Sequence, residues 1–519
     1  MRRPGRRTSA GRWVIVTVTA GLFAVPFAYL LVRGLSDRSA TWSHISDARL
    51  LGPLRRTILL AAVVTVLSTI VGVAMAWICS RTDVPGRRLL RTAAVVPLVI
   101  PSFVASQTLV SAFSQGGLIE DLLGWSPGLD LRGFDGAVIV LTLLSYPYVY
   151  LPVLARLGSL PRSLEESARL LGHNGWTTFR HVILPQIWPT ISSGALLAAL
   201  YTVSDFGAVQ FVSYDTLTRT IFANKLDPER SVAMSLVLAA LALALTFSER
   251  RGRRGTAPTT ATTARPQAVT RLGRWRWVVG SAGWSVIVIG LIAPLSVVAW
   301  WVVRGRMAGA RRSAVVNLPE STWSSTWIAA IAAIVTVVVV LPLAHVAARG
   351  SAKAASFAGA IVISGFAVPG IVSALALVRM FVGTPIYQGF TVLVAAYVFH
   401  FGGQAYGPAR AAIESVPSRL GEAARLLGAS RWRRLTRIEL RLIGPGLAAA
   451  AGLVLLSVLK ELPATLMLRP IGFDTLATRI ARTVDSALLT DAGQLSLCLI
   501  TLSTGLTWLL VIRRIRHAR

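Results

Sequence analysis

Glu166-Ser167-Ala168-Arg169-Leu170-Leu171-Gly172 and Glu422-Ala423-Ala424-Arg425-Leu426-Leu427-Gly428 are two copies of one pattern, 256 residues apart in a chain of 519. Each copy belongs to a longer loop, 161–185 in the first half and 417–441 in the second. Both loops are polar and arginine-bearing, and both lie between very apolar stretches. Pro161 and Pro417 suit the first position of a helix, where a missing N–H is no loss. Leu160, Leu164 and Leu171 have the spacing of one helical face. Gly172 and Gly428 end the helix, because glycine accepts backbone angles that other residues avoid. The spacing therefore predicts a short helix, a glycine bend and a return near the membrane surface. An interfacial amphipathic anchor would show the same features. Two matched copies at equivalent places in a repeat favour two matched docking points for a partner.

Composition fixes the solvent. The chain is 54% hydrophobic and only 14% charged, with a mean hydropathy of +0.63. Soluble domains are not that apolar, so a bilayer surrounds most of the chain. The net charge of +31 does not point to nucleic acid, because the arginines come in short bursts between apolar runs, as in the inner loops of membrane proteins. Cys79 and Cys498 both sit in apolar runs and read as small buried hydrophobes, with no disulfide or zinc spacing. Arg2, Arg3, Arg6, Arg7 and Arg12 precede the apolar run 13–32. That run reaches the ~20 residues a span needs and reads as an uncleaved first helix with a cytoplasmic N-terminus.

Apolar runs mark twelve candidate spans. They lie at about 13–32, 57–79, 90–109, 136–155, 187–209 and 231–247, then 277–303, 325–347, 357–377, 389–404, 443–462 and 492–512. Run length and the lack of strict alternation make them helices rather than barrel strands. The expected fold is an all-α integral membrane protein of about 12 transmembrane helices in two parallel six-helix repeats. The first repeat would occupy 1–248 and the second 277–519, joined by a basic cytoplasmic linker at 249–276. Arg81 matches Arg349 and Pro101 matches Pro369 at an offset of 268, while Tyr150-x-Pro152 matches Tyr406-x-Pro408 and Asp205 matches Glu461 at 256. The change of offset falls in the longer acidic loop 114–135, which suits the outer face. Arg304, Arg306, Arg311 and Arg312 fall in a loop that the count also places outside, against the usual rule. Arg33, Arg38 and Arg49 share that anomaly in the first repeat. The closing arginines Arg513, Arg514, Arg516 and Arg519 fit a cytoplasmic C-terminus.

The twin loops resemble the EAA loop of ABC-importer permeases of the binding-protein-dependent type: Glu-Ala-Ala, a glycine after three residues, then Ile-x-Leu-Pro. The first loop matches it with Glu166, Ser167, Ala168, Gly172 and Val182-Ile183-Leu184-Pro185. The second matches it with Glu422, Ala423, Ala424, Gly428 and Ile438-Glu439-Leu440-Arg441. Ser167, Val182 and Arg441 depart from the pattern. The resemblance implies that each loop is a coupling helix seated on a cytoplasmic ATP-binding subunit, two copies of which are expected. A glutamate near a helix start suits donors or cations on such a partner. It further implies an extracytoplasmic substrate-binding protein, a place in the bacterial cytoplasmic membrane, and no cofactor.

The chain has no nucleotide site of its own. Its lysines are Lys225, Lys353 and Lys460, none in a Gly-Lys-Ser/Thr context. It is not expected to be an enzyme, and ATP hydrolysis would belong to the partner chains.

Two further segments bear on the substrate. They are Ser204-Asp205-Phe206-Gly207 and Lys460-Glu461-Leu462-Pro463, the latter followed by Asp474-Thr475-Leu476. They resemble segments of the fused twelve-span permeases for ferric iron, to which the thiamine-importer permease is a close relative. Ferric ion is a hard cation that favours oxygen ligands. Asp205, Glu461, Tyr146, Tyr148 and Tyr150 are the candidate pathway groups, with no metal-ligand set defined. Span ends also carry structural charges and belt aromatics, so these residues have plain alternatives. Pro97, Pro101 and Pro369 should kink the third and ninth spans. Thiamine or another small solute is a second reading of the substrate. An ion-coupled secondary carrier is the rival class, and it has no use for two matched polar loops.

Overall fold

A computed structural model describes residues 7–125, 128–252, 270–307, 318–349 and 353–507. Most of the linker, the outer arginines Arg311 and Arg312, and the terminal arginines Arg2, Arg3, Arg6 and Arg513–Arg519 lie outside them. Among the described residues the β pairing is confined to one isolated bridge, Thr82 with Thr270. Among the described residues, each of the twelve apolar segments is built mainly of helix. Among the described residues, eight helices are individually long and apolar enough to cross a membrane: Trp13–Ser36, Arg49–Arg81, Phe134–Ser159, Gly175–Ser204, Pro228–Ser248, Trp275–Gly305, Leu318–Arg349 and Trp432–Leu459. Phe390–Glu414 and Leu489–Thr507 supply the fourth and sixth helices of the second repeat.

The third and ninth segments are more than kinked. Arg87–Val99 meets Ser102–Phe113 at 97°, and Phe357–Ala367 meets Gly370–Phe381 at 98°. Pro101 (φ −63, ψ 139) and Pro369 (φ −53, ψ 139) stand in extended backbone at the two corners and cap the second helix of each pair. A proline cannot donate to the turn before it and pushes its predecessor out of the α region. Ile100 is accordingly extended, at φ −74 and ψ 126. The bend is a full corner because the chain leaves the helix there.

The chain forms two compact units that interleave along the sequence. One takes in Ser46–Thr220 and Ala240–Ala308; the other takes in Met1–Ile45, Ile221–Ala239 and Gly309–Arg519. The first long helix of each repeat therefore packs inside the unit built mainly by the other repeat. Arg7–Ser36 lies on Leu318–Arg349, Lys353–Ala367 and Gly370–Phe381. The helices Trp275–Ile287 and Ala293–Met307 belong with Ala48–Arg81, Arg87–Ala93 and Ser102–Phe113.

Within the first of these units, small residues bring helices close. A Cβ on Gly72 would stand 2.8 Å from the Tyr146 carbonyl, and one on Gly194 would stand 2.7 Å from the Val149 Cα. Helices in lipid depend on such contacts because no hydrophobic effect drives them together. Met75, Tyr146, Tyr150, Ile187 and Ile287 lie in the resulting core. In the other unit, Gly402 stands where the first repeat has Tyr146. A Cβ at 402 would collide with the ring of Phe23, which is fully buried and meets Phe399 edge-on at 6.0 Å. The volume given to a tyrosine in one repeat is filled by the exchanged helix in the other.

The basic loop with Arg304 finds its counter-charge. Arg304 pairs with Asp121 at 3.3 Å and donates to the Gly116 carbonyl. Trp300 Nε1 donates to the same carboxylate at 2.9 Å. The acidic loop thus neutralises the arginine that the positive-inside rule left unexplained.

Candidate docking site for a partner subunit

The two polar loops fold alike. Their helices are Arg162–Leu170 and Ser418–Leu426. The prolines sit one position earlier than expected; Pro417 is the N-cap itself, with extended φ −60 and ψ 132. Gly172 and Gly428 adopt φ 83 and φ 75, the left-handed region that favours glycine. His173 N–H donates to the Ala168 carbonyl at 3.0 Å, and Ala429 N–H to the Ala424 carbonyl at 2.9 Å. Leu171 N–H reaches Ser167 and Leu427 N–H reaches Ala423, at 3.1 and 3.0 Å. These bonds close both helices with one and the same left-handed cap.

Each residue of the pattern has a place. Ala168 and Ala424 are buried beneath the helix, which calls for a small side chain. Glu166, Ser167, Glu422 and Ala423 are exposed. Beside them are pairs of bare leucines: Leu170 is 89% exposed, Leu171 79%, Leu426 90% and Leu427 87%. Trp176 and Trp432, 256 residues apart, are exposed as well. Burying one such leucine is worth about 1.5–3 kcal/mol. The sequence reading placed Leu160, Leu164 and Leu171 on one face. In the structure Leu160 is buried whereas Leu171 is open, because Leu171 lies at the cap, beyond the regular helix.

The returns also match. Asn174 Oδ1 caps the short helix Gly175–Thr178 by accepting from Thr177 N–H at 2.9 Å. Ser430 Oγ accepts from Arg433 N–H at 3.3 Å. A π turn follows in each loop, Phe179–Ile183 and Leu435–Glu439, before Leu184–Ser204 and Leu440–Leu459. Single π turns often mark functional positions. Arg441 replaces Pro185 without changing this exit.

The loops differ in one tether. Arg81 Nη1 lies 2.6 Å from Glu165 Oε1, with side chains only 3% and 14% exposed. Arg81 Nη2 donates to the Leu157 carbonyl at 3.2 Å. In the second loop the position of Glu165 is Gly421, and the counterpart of Arg81 is Arg349.

The candidate pathway residues lie elsewhere. Asp205 and Glu461 sit where a long helix breaks before a short one, Gly207–Phe211 and Pro463–Leu468. Asp205 Oδ2 accepts from Ala208 N–H at 2.7 Å, and Glu461 Oε1 accepts from Ala464 N–H at 3.1 Å. Both carboxylates therefore cap helices. Tyr146 and Tyr150 are fully buried and donate to the carbonyls of Ala94 at 2.8 Å and Arg91 at 2.9 Å. Among the described residues, no three His, Cys, Asp or Glu side chains converge as a metal-ligand set.

Two equivalent capped helices in a duplicated helical membrane protein agree with the family comparison. The sequence matches the family described as binding-protein-dependent transport system inner membrane component twice, over residues 68–250 and 340–517. The chain belongs to this family. It is a multi-pass inner membrane permease of the ABC type, and the family is a transport component rather than a catalytic one. It is similar to the Fe(3+)-transport system permease protein FbpB 2 of Haemophilus influenzae, at 28% identity over 503 residues, covering 94% of this permease and 96% of that protein. It is also similar to the sulfate transport system permease protein CysT of Escherichia coli, at 31% over 229 residues, or 41% of this chain and 82% of the relative. CysW of Escherichia coli matches at 28% over 255 residues, 46% of this chain and 86% of that one. The sulfate permeases thus have about one repeat where this chain carries two.

Proposed function

We propose that this permease is the membrane subunit of an ATP-driven importer for ferric iron. Two copies of a cytoplasmic ATP-binding subunit dock on its twin helices. An extracytoplasmic binding protein delivers the substrate, and alternating access moves it across. The docking reading rests on one observation: each loop exposes a leucine pair beside an exposed glutamate, on a helix closed by the same glycine cap. An interfacial anchor would not need that geometry to be kept twice. On this reading both loops and both termini face the cytoplasm, the chain-order halves 1–248 and 277–519 act as the two repeats, and 249–276 links them.

Ferric iron is supported by the near-complete span of the match to the Fe(3+) permease. The shorter sulfate matches support the class of machine more than the cargo. Asp205 and Glu461 are the proposed pathway groups, since hard-cation chemistry favours carboxylate oxygens. Tyr146 and Tyr150 are the weaker members of that proposal, because their hydroxyls are already committed to backbone carbonyls.

The test is reconstitution in liposomes with the ATP-binding subunit and the binding protein encoded nearest to the permease. Radiolabelled ferric iron should accumulate only with ATP, while labelled sulfate and thiamine should not. Sulfate or thiamine uptake without iron uptake would overturn the substrate. Uptake driven by an ion gradient without ATP would overturn the class.

A further inference from the structure

Arg81 ties together three pieces of chain that are far apart in sequence. One guanidinium nitrogen meets Glu165 on the first docking helix at 2.6 Å. The other meets the Leu157 carbonyl, near the end of the helix that leads into that loop. The backbone carbonyl of Arg81 accepts from Thr270 N–H at 2.8 Å. Two residues on, Asp83 Oδ1 accepts from Leu272 N–H at 2.9 Å. The far end of the inter-repeat linker is therefore fastened to the same turn that holds the docking helix. A buried arginine is retained at this place only because its charge is met; stripping one partner from such a pair leaves the other uncompensated. The second repeat keeps the arginine, as Arg349, but has Gly421 where the carboxylate would be.

We propose that Arg81 is a positioning residue which locks the first docking helix, the adjoining helix ends and the end of the linker into one body, through an ion pair whose carboxylate the second repeat replaces with Gly421. The inference rests on the docking reading for its mechanical meaning. Motion at the first ATP-binding subunit is then passed rigidly to the membrane helices and the linker. The docking faces match, but the pair behind the first is not repeated at 349 and 421.

The experiment is hydrogen exchange on the full chain in lipid nanodiscs, with and without the ATP-binding subunit. Glu165→Gln keeps the shape and removes the charge; Glu165→Asp keeps the charge at a shorter reach. In Glu165→Gln, amides 162–171 and Thr270 should exchange about tenfold faster, as for a segment whose local opening has lost one buried ion pair. Amides 418–427 should be unchanged, and Glu165→Asp should fall between. Arg349→Gln should leave both docking helices at their original rates. Unchanged exchange at 162–171 in Glu165→Gln would overturn the latch, whether or not the ATP-binding subunit is retained. Failure of the wild-type chain to retain that subunit would instead overturn the docking reading and leave the exchange difference standing.

Discussion

At position 165 the first docking helix carries a glutamate held by Arg81, and at position 421 the second carries a glycine. Around those positions the two loops share the proline entrance, the buried alanine, the bare leucine pair, the left-handed glycine and the π turn at the exit. The comparison separates two demands on one loop. What is duplicated is the face that a partner would touch, together with the cap that presents it. What is not duplicated is the Arg81–Glu165 pair, whose carboxylate is replaced by Gly421. Identical ATP-binding subunits would require the first kind of symmetry and leave the second free to vary.

The largest expected effect tests the shared face. Replacing Leu170 and Leu171 by aspartate should abolish retention of the ATP-binding subunit at that loop, as should the same change at Leu426 and Leu427. Each leucine removed from an interface forfeits about 1.5–3 kcal/mol, so two together should weaken binding by more than about a hundredfold. Affinity of the subunit for each variant permease measures this, and a loss confined to one loop would break the equivalence. The tether comes next. Arg81→Met should lower the stability of its unit by about 2 kcal/mol through the unmatched Glu165. Arg349→Met, with no carboxylate at 421 to strand, should change it by less than about 1 kcal/mol. Thermal unfolding in one detergent compares the two, and equal losses would remove the asymmetry. Smallest and most even are the caps. Gly172→Ala and Gly428→Ala should each cost about 1 kcal/mol, because an alanine is strained in the left-handed region. Unequal values would show that the two caps are not the same structure.

Much of this was legible in the sequence, for stated reasons. Run length revealed the helices, because a chain in lipid must satisfy its backbone internally. The offsets of 268 and 256 revealed the repeat, and Pro101 and Pro369 revealed the breaks though not their near-right angle. Gly172 and Gly428 announced the caps. Local patterns did not reveal the exchange of first helices between units, since that depends on packing between distant segments; Gly402 opposite Phe23 was its trace. The Arg81–Glu165 and Arg304–Asp121 pairs are likewise long-range, and a count of loop charges sees only the unpaired sum. Of the exposed leucines, periodicity puts only Leu171 on a helical face, with Leu160 and Leu164, and it fails there because the pattern runs through the cap. Their signal was a Leu-Leu directly before glycine in both copies, with Trp176 and Trp432 at the repeat offset.

The most direct test of the twin-handle account is the sidedness of the leucine pairs. Leu170→Cys and Leu426→Cys, each in a background with Cys79 and Cys498 changed to serine, would be treated with a membrane-impermeant maleimide in right-side-out and inverted membrane vesicles. Labelling of both positions in inverted vesicles alone, and protection of both by added ATP-binding subunit, is the predicted result. Labelling of the two positions from opposite sides, or of neither from any side, would contradict it.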